Sequence, residues 1–206
     1  MDTSTEAHRI TDVAALEKLY GKPSGAAVAK EIDYLHPHYQ RMIAASPFVV
    51  LATTGPDGVD TSPRGDAPGF VAVADEKTLL LPDRPGNNRI DSLRNILTDP
   101  HVALLFLIPG IGETLRVNGR AAISTAPSLL EQFTVAGKLP RSVIVIAVDT
   151  VFFQCSRAIF RSRLWDPAQH LARTSLPSLG TMVADISRSK SPPQMAHFSC
   201  GGSLNF

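Results

Sequence analysis

The chain has 206 residues, of which 44% are hydrophobic, enough to build a buried core and too apolar for a disordered coil. Its formal net charge of +1 provides no global field to draw it to nucleic acid or to an anionic membrane, so any anion site has to be local. No apolar run reaches the ~20 residues of a membrane span, and "MDTSTEAHRI" lacks the apolar stretch of a secretory signal, so a cytoplasmic protein is expected, with Cys155 and Cys200 as free thiols.

The first 45 residues read as helical. "ITDVAALEKLYG" offers Thr11 or Asp12 as N-cap, Val13, Leu16 and Leu19 as an apolar face and Gly21 as a stop. "SGAAVAKEIDYL" follows with Ser24 as cap, and "HPHYQRMIAAS" carries another helical turn or two, interrupted at its start by Pro37. The middle changes period. "FVVLATT" leads through "GPDG" into "VDTSPRG", and "GFVAVAD" and "TLLLPD" form a hairpin around Glu76 and Lys77.

A helix is expected from Asn87 to Asp99, with Ile90, Leu93, Ile96 and Leu97 as its stripe and Pro100 as its end. "HVALLFLI" and "ETLRVNGRAAIS" make a further hairpin across "PGIG". "APSLLEQFTVAG" is a short helix capped by Ser124 or Thr125, and "RSVIVIAVDTVFFQC" is a long strand. About six or seven short strands with close turns favour an antiparallel barrel over an alternating parallel sheet, a mainly β (α+β) fold. A weak helix near "SLGTMVADI" precedes a Ser-, Pro- and Gly-rich tail from Ser187. The expected organisation is an N-terminal helical segment at 1–45, a barrel domain at 46–168 and a C-terminal helix and tail at 169–206.

Three stretches carry unusual chemistry. "LPDRPGNNR" holds Arg84 and Arg89 in a strand-to-helix loop that needs no guanidinium to turn. Asn87 and Asn88 fall at or just before the helix start, where free N–H groups and arginines together suit a phosphate. The competing reading is that Arg84 and Arg89 are solvated, or pair with Asp83 and Asp91. "DTSPRGDAPGF" places Ser62, Arg64 and Asp66 among prolines and glycines that let a flat ligand approach. In "ETLRVNGRA", Arg116, Asn118 and Arg120 share one strand face and call for a partner.

Together, "SPFVVLATTGPDGVDTSPRGDAPGFV", "TLLLPDRPGNNRIDSLRNI", "LLFLIPGIGETLRVNGRA" and "CSRAIFRSRLWDP" resemble the FMN-dependent branch of the pyridoxamine 5'-phosphate oxidase superfamily, from about Tyr20 to about Pro167. The resemblance implies a split β-barrel homodimer with N-terminal and peripheral helices and FMN in a cleft at the subunit interface. It implies that Ser62, Arg64 and Gly65 line the flavin. Pro82, Asp83, Arg84, Asn87, Asn88 and Arg89 would wrap the ribityl chain and phosphate, and Thr114 and Arg116 would flank the ring. Arg157, Arg161 and Trp165 would reach the cleft from the partner chain. Gln154 stands where relatives carry a His, and Arg157 where they carry a Lys, so no side chain is assigned a catalytic role.

The reading is an FMN-dependent oxidoreductase acting on a small molecule, with an electron donor such as NAD(P)H. The alternatives are pyridoxamine or pyridoxine 5'-phosphate oxidase itself, or a non-enzymatic flavin-binding or redox-sensing protein. No Gly-rich dinucleotide fingerprint and no nucleophile elbow occur. His36 and His38 have no third His or Cys ligand nearby, so no metal is expected, and Cys155 at the end of an apolar strand reads as packed.

Overall fold

Strict alternation builds the sheet. In the computed structural model, which describes residue 6 and residues 8–189, β1 (Phe48–Gly55) buries Val49, Leu51 and Thr53 on one side, while Val50 and Ala52 are partly covered and Phe48 and Thr54 exposed. Pro56 and Asp57 return the chain as β2 (Gly58–Gly65) in continuous antiparallel register. Glu76 and Lys77 turn β3 (Ala72–Asp75) into β4 (Thr78–Asp83). β5 (His101–Leu107) and β6 (Thr114–Ser124) form the next hairpin, and β7 (Ser142–Gln154) pairs with both β6 and β4.

The result is a seven-stranded sheet, all antiparallel, in the order β2-β1-β5-β6-β7-β4-β3. No backbone ladder joins β2 to β3, so the barrel is split, as the sequence suggests. One core fills it, with Leu51, Leu81, Phe106, Leu115 and Ile146 coming from five different strands. Each such fully buried side chain contributes roughly 1.5–3 kcal/mol.

The helices begin where local chemistry allows. In α1 (Val13–Tyr20) the Asp12 carboxylate accepts from the Ala15 N–H at 2.8 Å, and Gly21 ends the helix at φ 73°. Its Val13, Leu16 and Leu19 are exposed. Ser24 caps α2 (Gly25–Ala29). Pro37 does not interrupt α3 (Pro37–Ala45); it opens it, at a position whose N–H is unpaired in any helix. Tyr39 and Ile43 then reach the core.

α4 (Asp91–Thr98) begins four residues after the expected Asn87, because Asn88 and Ile90 adopt left-handed backbone at φ 60° and 48°. Only half of its expected stripe faces inward: Ile96 is buried and Leu93 half-buried, whereas Ile90 and Leu97 are exposed. α5 (Pro127–Gln132) has Ala126 at its N-cap, in place of Ser124 or Thr125. α6 (Arg157–Ser162) follows β7.

Contacts divide the chain into Met1–Trp165 and Asp166–Phe206. Within the first unit, Ile32 bridges Val151, and the Leu35 N–H donates to the Glu76 carbonyl at 2.7 Å. The second unit contains short 3-10 turns at Pro167–Gln169 and Arg173–Ser175, then α7 (Leu179–Ser189), which leaves Leu179, Val183 and Ile186 exposed. α7 extends past Ser187, where the tail was expected to begin; the rest of that tail, with Cys200, lies outside the described residues. Among the described residues no helix is long and apolar enough to cross a membrane.

Candidate functional site

The ends of β2 and β4 face each other across the split and exchange charges. The Arg64 guanidinium donates to the Asp83 carboxylate, and Arg84 Nε donates to Asp66 Oδ2 at 2.8 Å. Each side thus supplies one cation and one anion. The Arg64 and Asp83 side chains are 19% and 14% exposed, those of Arg84 and Asp66 25% each. Arg84 also donates to the Phe133 carbonyl just beyond α5, while Arg64 Nε is buried with no partner.

Beside these pairs lies a cleft of about 630 Å³. Ser62, Arg64 and Gly65 form its β2 wall, and Pro82, Asp83, Arg84, Asn87, Asn88 and Arg89 form the opposite loop. All nine of these residues, expected from sequence, come together. Asp91, Ser92 and Leu93 bring the first turn of α4 into the lining. Ile90 at its N-cap provides no side-chain bond, so nothing from that residue covers the first amides.

Arg89 Nε donates to Asp91 Oδ2 at 2.8 Å, and its own N–H donates to Asn87 Oδ1 at 3.1 Å. The hydrogen bond it donates to Asp91, then the charge of Asp91, holds the Arg89 pKa above its ordinary value, with a further contribution from Asp60. The pairing anticipated for the two loop arginines is therefore half realised: Arg89 takes Asp91, but Arg84 takes Asp66 because Asp83 is held by Arg64.

Arg141, not among the residues expected from sequence, lines the same cleft and donates to Asn88 Oδ1 at 2.9 Å. The signal was strand register. Asp83 at the end of β4 pairs with Ser142 at the start of β7, so the residue before Ser142 meets the loop after Asp83. The Arg141 N–H accordingly donates to the Asp83 carbonyl at 3.2 Å.

The remaining expected residues lie outside this lining. Thr114 Oγ1 donates to Gln154 Oε1 at 3.4 Å, and the Arg116 guanidinium sits 4.5 Å from the Phe152 ring centre. The stripe of Arg116, Asn118 and Arg120 faces outward and is not buried in this chain, because Leu115, Val117 and Ala121 take the inner positions. Its partners are Phe152, Thr150 at 3.3 Å and Asp149 at 3.2 Å. Arg157 and Arg161 are exposed on α6, and Trp165 Nε1 donates to the Ile111 carbonyl at 2.8 Å. Cys155 is exposed where packing was expected. His36 Nδ1 accepts from the His38 N–H, and among the described residues no three His, Cys, Asp or Glu side chains gather as a metal site.

An open antiparallel barrel with a polar cleft at its split defines a split-barrel protein. The family model of pyridoxamine 5'-phosphate oxidase matches residues 35–155, more than half of the chain, and the chain belongs to that family. Among solved structures, HupZ of Group A Streptococcus is 20% identical with a TM-score of 0.49, covering 59% of this chain and 94% of its own. General stress protein 26 of Bacillus anthracis is 17% identical with a TM-score of 0.43, covering 55% of this chain and 88% of its own. No curated protein matches the chain.

Proposed function

We propose that the protein binds FMN in the split-barrel cleft and works as an FMN-dependent oxidoreductase on a small molecule. The observation that carries this reading is the convergence of a glycine-bearing strand edge, an arginine- and asparagine-rich loop and the start of α4 on one cavity of about 630 Å³. That volume falls within the roughly 300–1,000 Å³ of small-molecule sites. The donor set suits a phosphorylated polyol: Asn87, Asn88, Arg89 and the α4 amides would hold the phosphate end, and Ser62, Arg64 and Gly65 the ring end. The buried, partnerless Nε of Arg64 is a donor that a ligand acceptor would satisfy.

FMN bound there supplies the electron transfer, with NAD(P)H as a visiting electron donor. The cleft side chains bind and orient; among the described residues its lining has arginines, aspartates, asparagines and serines but no His, Cys or Lys. A homodimer completes the site in this reading. Thr114, Arg116, Arg157, Arg161 and Trp165 lie outside their own chain's cleft lining, and a second copy would bring them to it. Exposed Phe153 and Phe160 provide apolar surface for that contact.

Titration of the apoprotein with FMN and riboflavin is the test. FMN is expected to bind more tightly, turning the protein yellow at up to one flavin per subunit, and anaerobic NADPH to bleach it. Equal affinity for the two flavins would defeat the reading.

A further inference from the structure

Among the described residues, four arginines line the cleft: Arg64, Arg84, Arg89 and Arg141. Three already contact a carboxylate, in the pairs Arg64–Asp83, Arg84–Asp66 and Arg89–Asp91. Arg89 additionally feels Asp60, whose charge raises its pKa further. Arg141 differs: its contact is the Asn88 side-chain carbonyl, a neutral acceptor. An ion-paired guanidinium offers an incoming anion a charge that is largely cancelled at contact distance, whereas an amide-bound one offers it whole.

We infer that Arg141 is the residue by which this cleft distinguishes a phosphorylated ligand from its unphosphorylated counterpart. The inference rests on the FMN reading and deepens it. Arg141 is fixed at both ends. Its backbone N–H is bound to the Asp83 carbonyl at 3.2 Å, and one Nη of its fork to Asn88 Oδ1 at 2.9 Å. Asn88 presents that oxygen from left-handed backbone, φ 60°, which asparagine tolerates better than most residues. A guanidinium has five N–H donors, so others remain for phosphate oxygens, and a pre-positioned fork loses little freedom on binding. Arg84 then acts mainly through Asp66, shaping the loop, and Arg89 stays beside the phosphate with a charge that Asp91 partly cancels.

The test uses full-length apoprotein titrated with FMN and with riboflavin by flavin fluorescence quenching, for the wild type, Arg141→Gln and Arg141→Lys. Arg141→Gln keeps a donor for Asn88 but removes the charge; Arg141→Lys keeps the charge. FMN affinity is expected to fall on the order of tenfold to a hundredfold in Arg141→Gln, with riboflavin affinity within about twofold, and Arg141→Lys to retain most of the FMN preference. The salt dependence of FMN binding is expected to flatten in Arg141→Gln alone. An unchanged FMN-to-riboflavin ratio in Arg141→Gln, with the wild type preferring FMN, would overturn the assignment of Arg141 and leave the FMN reading standing. A wild type with no preference would overturn both.

Discussion

Arg64 and Asp83 join the two sides of the barrel that backbone hydrogen bonding leaves apart. β2 is one edge of the sheet and β4 lies one strand in from the other, so this ion pair, with Asp66–Arg84 just past the ends of the two strands, clasps the split. Both members of the first pair are mostly buried, and Arg64 Nε has no other partner. Removing one charge strands the other. Arg64→Leu and Asp83→Leu are each expected to cost about 2–4 kcal/mol in urea unfolding, and the double variant to cost less than the sum. Strict additivity would mean that the two residues are not coupled.

Arg84 is expected to act on stability and hardly on ligand choice. Its Nε is bound to Asp66 and its Nη1 to the Phe133 carbonyl, so it ties β4 to the β2–β3 connection and to the end of α5. Arg84→Ala is expected to lower stability by about 1–3 kcal/mol through the stranded Asp66 carboxylate and the lost carbonyl bond. The FMN-to-riboflavin affinity ratio is expected to stay within about threefold of wild type. A collapse of that ratio with unfolding unchanged would make Arg84 a phosphate ligand.

The strands were legible because alternation dictates them: Val49, Leu51 and Leu104, Phe106 mark inner positions with no knowledge of the fold. The gathering of Ser62, Arg64, Gly65, Pro82, Asp83, Arg84, Asn87, Asn88 and Arg89 around one cleft was implied by the family resemblance and not by local pattern. Arg89 takes the nearby Asp91, but the partners of Arg84 and Arg64 were not legible, because for them the nearest carboxylate in sequence is not the one used in space. Asp83 adjoins Arg84 in the chain yet serves Arg64 across the split. Arg141 escaped notice for the same reason: only the β4–β7 register puts it beside Asn88. The late start of α4 depends on left-handed Ile90, a β-branched residue for which propensity predicts the opposite.

Acid is expected to weaken one of the ties between the N-terminal segment and the β3–β4 turn. Lys77 Nζ lies 2.7 Å from Asp33 Oδ2, and this hydrogen bond, then the lysine's charge, holds the Asp33 carboxyl below the usual carboxylate value. A depressed carboxyl pKa stabilises the fold above its unfolded value of about 3.9 and loses that contribution as pH falls through the lower folded value. The stability difference between wild type and Asp33→Asn is therefore expected to be full at neutral pH and to shrink below about pH 4. Chemical denaturation across that range checks it; a difference that grows towards acid would contradict the assignment.

Gly119 has no room for a side chain. It follows the register shift in β6, and a Cβ built there would lie 2.2 Å from the Ala147 carbonyl oxygen and 3.1 Å from Ile146 Cγ2. The obstacle is backbone of the neighbouring β7, so relief requires the β6–β7 ladder to move apart near the middle of the barrel wall. Gly119→Ala is expected to destabilise by about 2–3 kcal/mol, a fall of roughly 4–12 °C in Tm. Gly86, in the cleft loop, meets nothing within 4 Å, so Gly86→Ala is expected to leave Tm within about 2 °C of wild type. Thermal unfolding of the two variants side by side checks the contrast, and equal Tm values would show that β6 and β7 approach less closely at Gly119 than the structure has them.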